Sequence, residues 1–112
     1  MPYIKIQTNK SVNNQQEILK RLSALSAELL NKPEQYIMTA FENSEMTFAG
    51  TSEPAMFVEV KSIGLDSSKT DDITKSLCEF FENEVGVCKD RINIEFSNAV
   101  GSMWGWNSKT FR

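Results

Sequence analysis

The chain follows one plan twice. Laid over itself at an offset of roughly 55 residues, its apolar positions coincide from end to end. Ile4 and Ile6 fall on Val58 and Val60; Ile18, Leu22, Leu25 and Leu30 fall on Ile73, Leu77, Phe80 and Val85; Ile37, Thr39 and Phe41 fall on Ile92, Ile94 and Phe96. The first and last sets alternate at period two, as half-buried strands do, and the middle set recurs at helical spacing. A strand–helix–strand unit therefore occurs twice, at about residues 2–54 and 55–112, within one domain of 112 residues. One such unit is too small to bury its own apolar face. Two side by side give an α/β architecture, a four-stranded mixed sheet with both helices on one face. The long crossover makes the two strands of each unit parallel, with a right-handed connection.

Local signals set the expected boundaries. A first strand carries Ile4 and Ile6, and a helix runs from about Gln15 to Asn31, with Ser11, Asn13 or Asn14 available to cap it. Lys32-Pro33 ends that helix, because proline biases the preceding residue away from helical geometry. A second strand is expected over Gln35 to Phe41, then a polar connection from Glu42 to Glu53 with room for a short strand at Met46 to Ala49. The third strand spans Ala55 to Ser62. The second helix is capped by Ser67 or Ser68, carries Asp71 and Asp72 against its dipole, and reaches about Val85, with Gly86 as C-cap. Arg91 to Phe96 is the fourth strand.

By alternation the sheet face away from the helices carries Tyr3, Lys5, Met38, Ala40, Phe57, Glu59, Asn93 and Glu95. That mixture is too apolar for a wet surface and too charged for a dry core; a symmetric oligomer would cover it.

Composition removes several classes of function. Twelve basic against fifteen acidic residues, with no basic run longer than a pair, argue against nucleic acid as a partner. No apolar stretch is long enough for a signal peptide or a membrane span, so the expected location is cytoplasmic, with no membrane partner. The absence of histidine removes the commonest general base and metal ligand. Cys78 and Cys88 lack the spacing of a zinc or dithiol site and read as buried thiols, and the scattered glycines form no phosphate loop.

Against that background Pro2 stands out. An initiator methionine is generally removed when a small residue follows, and the chain would then begin with a secondary amine held on a strand. Burial lowers the pKa of such an amine and leaves its lone pair free near neutrality. Taken by itself, a proline here also suits the plain start of a strand, where its missing N–H does little harm.

Pro2 opening a strand, the double repeat, Lys32-Pro33-Glu34-Gln35-Tyr36-Ile37, Ser52-Glu53-Pro54, Ser62-Ile63-Gly64, Asp90-Arg91 and Gly105-Trp106-Asn107-Ser108-Lys109-Thr110-Phe111 occur in one order. Together they resemble the macrophage migration inhibitory factor family of the tautomerase superfamily, across the whole chain. The resemblance implies a homotrimer with active sites at subunit boundaries, no cofactor, and keto–enol tautomerisation of small aromatic 2-oxo acids such as phenylpyruvate. It makes Pro2 the base, Lys32 the cation for the substrate carboxylate, and the Ile63 backbone N–H a second donor to that anion. Tyr36, Trp106 and Phe111 would form the apolar wall, with Trp104 where the family usually has a smaller aliphatic residue.

The carry-over has limits. Asn93 and Glu95 stand where the family usually has a tyrosine and an asparagine reaching in from the neighbouring subunit, which puts substrate preference in doubt. Ala55 and Val58 replace the CxxC pair of mammalian members, so dithiol chemistry is not inherited, and Lys61 replaces a family histidine. Without the family, Lys32 equally complements a helix C-terminus, and Trp104, Trp106 and Phe111 equally seal the sheet or a subunit contact. Two other functions stay open by analogy: protein binding at a receptor, as cytokine members suggest, and a minor hydration or dehalogenation of unsaturated acids with Glu95 assisting water. Family analogy also allows secretion without a signal peptide.

Overall fold

In the computed structural model, which describes residues 1–112, the first unit is β1 (Tyr3–Thr8), α1 (Gln15–Leu30) and β2 (Met38–Asn43). The second is β3 (Met56–Ile63), α2 (Thr70–Glu84) and β4 (Ile92–Ala99). The strands lie in the order β2-β1-β3-β4. Each outer strand runs parallel to the inner strand of its own unit, while β1 and β3 meet antiparallel, which relates the two units by an approximate twofold axis.

The period-two pattern sets the core. Ile4, Ile6, Val58 and Val60 are at most 1% exposed and pack against Ile18 and Leu22 of α1 and Ile73, Leu77 and Phe81 of α2. Burying each such side chain contributes about 1.5–3 kcal/mol. The second helix turns Phe81 inward, while Phe80 packs edge-on beside it at 5.5 Å between ring centroids. The outer strands are shallower: Ile37, Phe41, Ile92, Ile94 and Phe96 are partly buried at the core's margin.

Helix ends repeat as faithfully as strands. Beyond α1, Asn31 takes a left-handed conformation (φ 53°), its N–H bonding Glu28 O and the Lys32 N–H bonding Ala27 O. This paired closure ends the helix before Pro33 is reached. Beyond α2, Gly86 (φ 80°) bonds Phe81 O, as the expected cap. Asn14 precedes α1 without a side-chain cap bond.

Several boundaries differ from expectation. The segment before Met38 is not strand: Glu34–Tyr36 forms a 3-10 turn, with the Tyr36 N–H on Pro33 O and the Ile37 N–H on Glu34 O. Those donors are used locally and cannot join a ladder, so β2 starts where the Met38 N–H reaches Pro2 O at 3.0 Å. Neither Ser67 nor Ser68 caps α2; both lie in a 3-10 turn, Ser67–Lys69, that leads into it and is capped by Asp66, whose carboxylate accepts from the Ser68 N–H at 2.9 Å. That bond holds its carboxyl below the usual range. The expected strand at Met46 to Ala49 reduces to a single bridge between Phe48 and Thr51 around a tight turn at Ala49 and Gly50. Finally, β4 continues past Phe96 to Ala99 beside β3.

Candidate active site

The site is built at the start of β1. In the row of strand partners Met38, Tyr3 and Lys61, cross-strand neighbours present side chains on the same face, the one away from the helices. Pro2, one residue earlier, is buried and held by its carbonyl to Met38. Above them lie the 3-10 turn that carries Gln35 and Tyr36, and the end of the chain.

That end folds back as a hairpin of β5 (Gly105–Trp106) and β6 (Lys109–Thr110), which alternation could not reveal. Its two-residue loop, Asn107 (φ 51°) and Ser108 (φ 71°), has both residues left-handed, the geometry that suits a tight hairpin. The hairpin is anchored at Gly101, whose carbonyl accepts from the Phe111 N–H at 3.0 Å; a Cβ at Gly101 would run into the Phe111 carbonyl oxygen. So tethered, Trp106 meets Tyr36 edge-on at 5.9 Å and stacks on Phe111 at 6.1 Å.

The result is a cavity of about 440 Å³ lined by Met1, Pro2, Tyr3, Gln35, Tyr36, Ile37, Met38, Lys61, Trp104, Gly105 and Trp106. Of the residues singled out from sequence, Pro2, Tyr36, Trp104 and Trp106 come together here. Phe111 backs Trp106 from behind without lining the cavity. Lys32 lines a separate pocket of about 50 Å³ with Ser62, Gly64 and Asp66, among others. Its charge nonetheless reaches the chain's amino terminus, whose pKa is lowered first by burial and then by Lys32. Ile63 ends β3 two residues beyond Lys61, outside the cavity wall. Asn93 and Glu95 stand exposed on β4, opposite Phe57 and Glu59, away from this cavity. Lys61, Gln35 and Met38 were not among the sequence candidates; the register that seats Lys61 beside Tyr3 depends on pairing between the two units. The thiols lie elsewhere, and neither is buried as expected: Cys78 is half-buried, enough to raise its pKa, and Cys88 is exposed.

Two parallel strand–helix–strand units joined antiparallel, with a buried proline at the head of the first strand, define a protein of the tautomerase superfamily. The family model for macrophage migration inhibitory factor matches residues 1–112, and the chain belongs to that family. A homologue of that factor from Prochlorococcus marinus, known from its crystal structure, superposes with a TM-score of 0.93 at 42% identity, covering 98% of this chain and 99% of that one. The macrophage migration inhibitory factor homolog of Trichinella spiralis is 32% identical over 114 residues, covering 99% of this chain and all of the relative. The rat factor is 30% identical over 114 residues, with 99% of each chain covered.

Proposed function

We propose that the chain is a keto–enol tautomerase of phenylpyruvate-type 2-oxo acids that needs no cofactor, with Pro2 as its base once Met1 is removed. The observation that carries this reading is the buried Pro2 at the head of β1, lining one cavity with Tyr36, Trp104 and Trp106. Burial and the Lys32 ammonium both disfavour a charged amine at that place. A Pro2 amine at the head of the same strand would stand among the same two causes, burial and the Lys32 charge. A neutral secondary amine beside an apolar wall is a base poised for work near neutral pH.

In the proposed reaction the Pro2 nitrogen takes a proton from the carbon next to the substrate carbonyl, and the electron pair moves onto the carbonyl oxygen. The protonated amine then returns that proton to the oxygen, giving the enol; the reverse order gives the ketone. Lys32, with the Ile63 N–H, holds the carboxylate and favours the negative charge that develops beside it. Tyr36, Trp104 and Trp106 enclose the aromatic ring, with Phe111 bracing Trp106.

The reading includes a homotrimer. Both helices lie on one side of the sheet, Met38 on the other side is 65% exposed, and a neighbouring subunit would cover that face and bring Asn93 and Glu95 to the site. Light scattering gives the assembly, and mass spectrometry of active protein gives the chain mass. A trimer lacking Met1 that forms enol from phenylpyruvate meets the expectation. An active monomer, or full activity in protein that retains Met1, defeats it.

A further inference from the structure

The aromatic wall of the cavity is not held by the core. β5 and β6 form a two-stranded sheet of their own, and Trp106 and Phe111 stay 46% and 40% exposed. A few contacts fix them, and these meet at Gly101, in the 3-10 turn that follows β4. The Gly101 carbonyl accepts from the Phe111 N–H at 3.0 Å and from the Trp104 N–H at 3.3 Å, and the Phe111 N–H is shared with the Trp104 carbonyl at 3.2 Å. Phe111 in turn stacks on Trp106 with 14° between ring planes, and Trp106 meets Tyr36 edge-on. Both tryptophans of the cavity are thus set against one residue that does not line it.

Space, not backbone conformation, demands glycine at this place. Gly50, Gly64 and Gly86 take left-handed geometry, and Gly101 does not. A Cβ at Gly101 would overlap the Phe111 carbonyl oxygen, a backbone atom that retreats only with the strand end that carries it. At Gly50 or Gly64 an added Cβ would meet nothing within 4 Å. We infer that Gly101 is a positioning residue of the proposed tautomerase: its bare Cα lets the end of the chain close onto it, and that closure sets where Phe111 and Trp106 stand around the substrate ring. This rests on the tautomerase reading above and adds a residue remote from the substrate. Pro2 is held separately, by its carbonyl to Met38, so a shifted hairpin weakens the grip on the ring and leaves the base in place.

The test uses full-length protein freed of Met1, with phenylpyruvate as substrate and enol absorbance as the signal. Gly101→Ala should raise KM about tenfold, the worth of one aromatic contact, with little change in kcat. The near-ultraviolet circular dichroism of the tryptophans should change, while the far-ultraviolet spectrum and the assembly seen by light scattering stay as in the parent. Ser102→Ala, in the same turn, should alter none of these. Phe111→Ala should also raise KM, and the double variant should lose less than the product of the two single losses, because both act through one stack. An unchanged KM, a fall in kcat alone, or independent losses in the double variant overturns the inference. So does a Gly101→Ala protein that fails to fold, since the residue would then serve folding and not the wall. No turnover by the parent defeats the tautomerase reading, and the tryptophan spectra then still decide whether Gly101 sets the wall.

Discussion

The turn before β2 carries Tyr36, and at the equivalent place in the second unit the turn before β4 carries Arg91. Tyr36 meets Trp106 across an open cavity. Arg91 fills its end of the sheet: Nε donates to Pro54 O at 2.9 Å, Nη2 to Glu53 O at 3.1 Å, and the guanidinium lies 5.2 Å from the Phe48 ring centroid. The residues just past the helix caps diverge likewise. Lys32 follows Asn31 beside the amino terminus, whereas Val87 follows Gly86 and is fully buried. Two nearly equivalent backbones thus end in a cavity at one place and in a clamp at the other. The frame is common to both, and side chains at a few matched positions decide which end is left free for chemistry.

Closing the open end gives the largest expected effect. An uncleavable N-terminal extension turns the Pro2 nitrogen into an amide with no basic lone pair, and enol formation should fall by about a thousandfold. Light scattering must show that the blocked protein keeps the assembly of the processed one. Undiminished activity there removes Pro2 from the chemistry.

Making the second end imitate the first is the next test. Val87→Lys places an unpaired ammonium in the core and should lower stability by about 3–5 kcal/mol in urea unfolding. Loosening the clamp is milder: Arg91→Ala should cost about 1–2 kcal/mol, since its bonds are solvent-exposed. Activity per folded molecule should hold, and a large loss of activity without loss of stability would mean that the two ends are not independent.

The smallest effect is in pH dependence. The proposed base would work only when neutral, so kcat/KM should rise with pH through a midpoint below the ordinary amine value of about 8. Lys32→Met removes one of the two causes of that depression and should move the midpoint upward. A midpoint that stays in place would assign the depression to burial alone.

What could be read from the sequence was whatever repeats with a period. Ile4, Ile6, Val58 and Val60 announced the core because alternation is a local signal, and the twofold plan followed from their recurrence. Met38 as the first residue of β2 was hidden, since Gln35 to Phe41 alternates well enough, and only hydrogen bonding by Tyr36 and Ile37 within the turn excludes them from the sheet. The closing hairpin has strands of two residues each, too short to show any period. Pro2, Tyr36 and Trp106 were legible as parts of motifs, and Trp104 as a departure from one; the fold brings the four to one cavity. Lys61 needed the pairing of β1 with β3, which seats it opposite Tyr3 from the other unit of the chain.

That pairing also governs how the chain acquires its structure. During synthesis β1 emerges first and can find β2 early, but its other edge stays unsatisfied until Lys61 has been made. Closing so long a loop costs entropy before any contact repays it, which slows folding. The strand bearing the proposed base is therefore begun first and completed late. Neither unit has an independent core to wait in, so the seam between them forms in the same cooperative step that gathers the aromatic wall around Pro2.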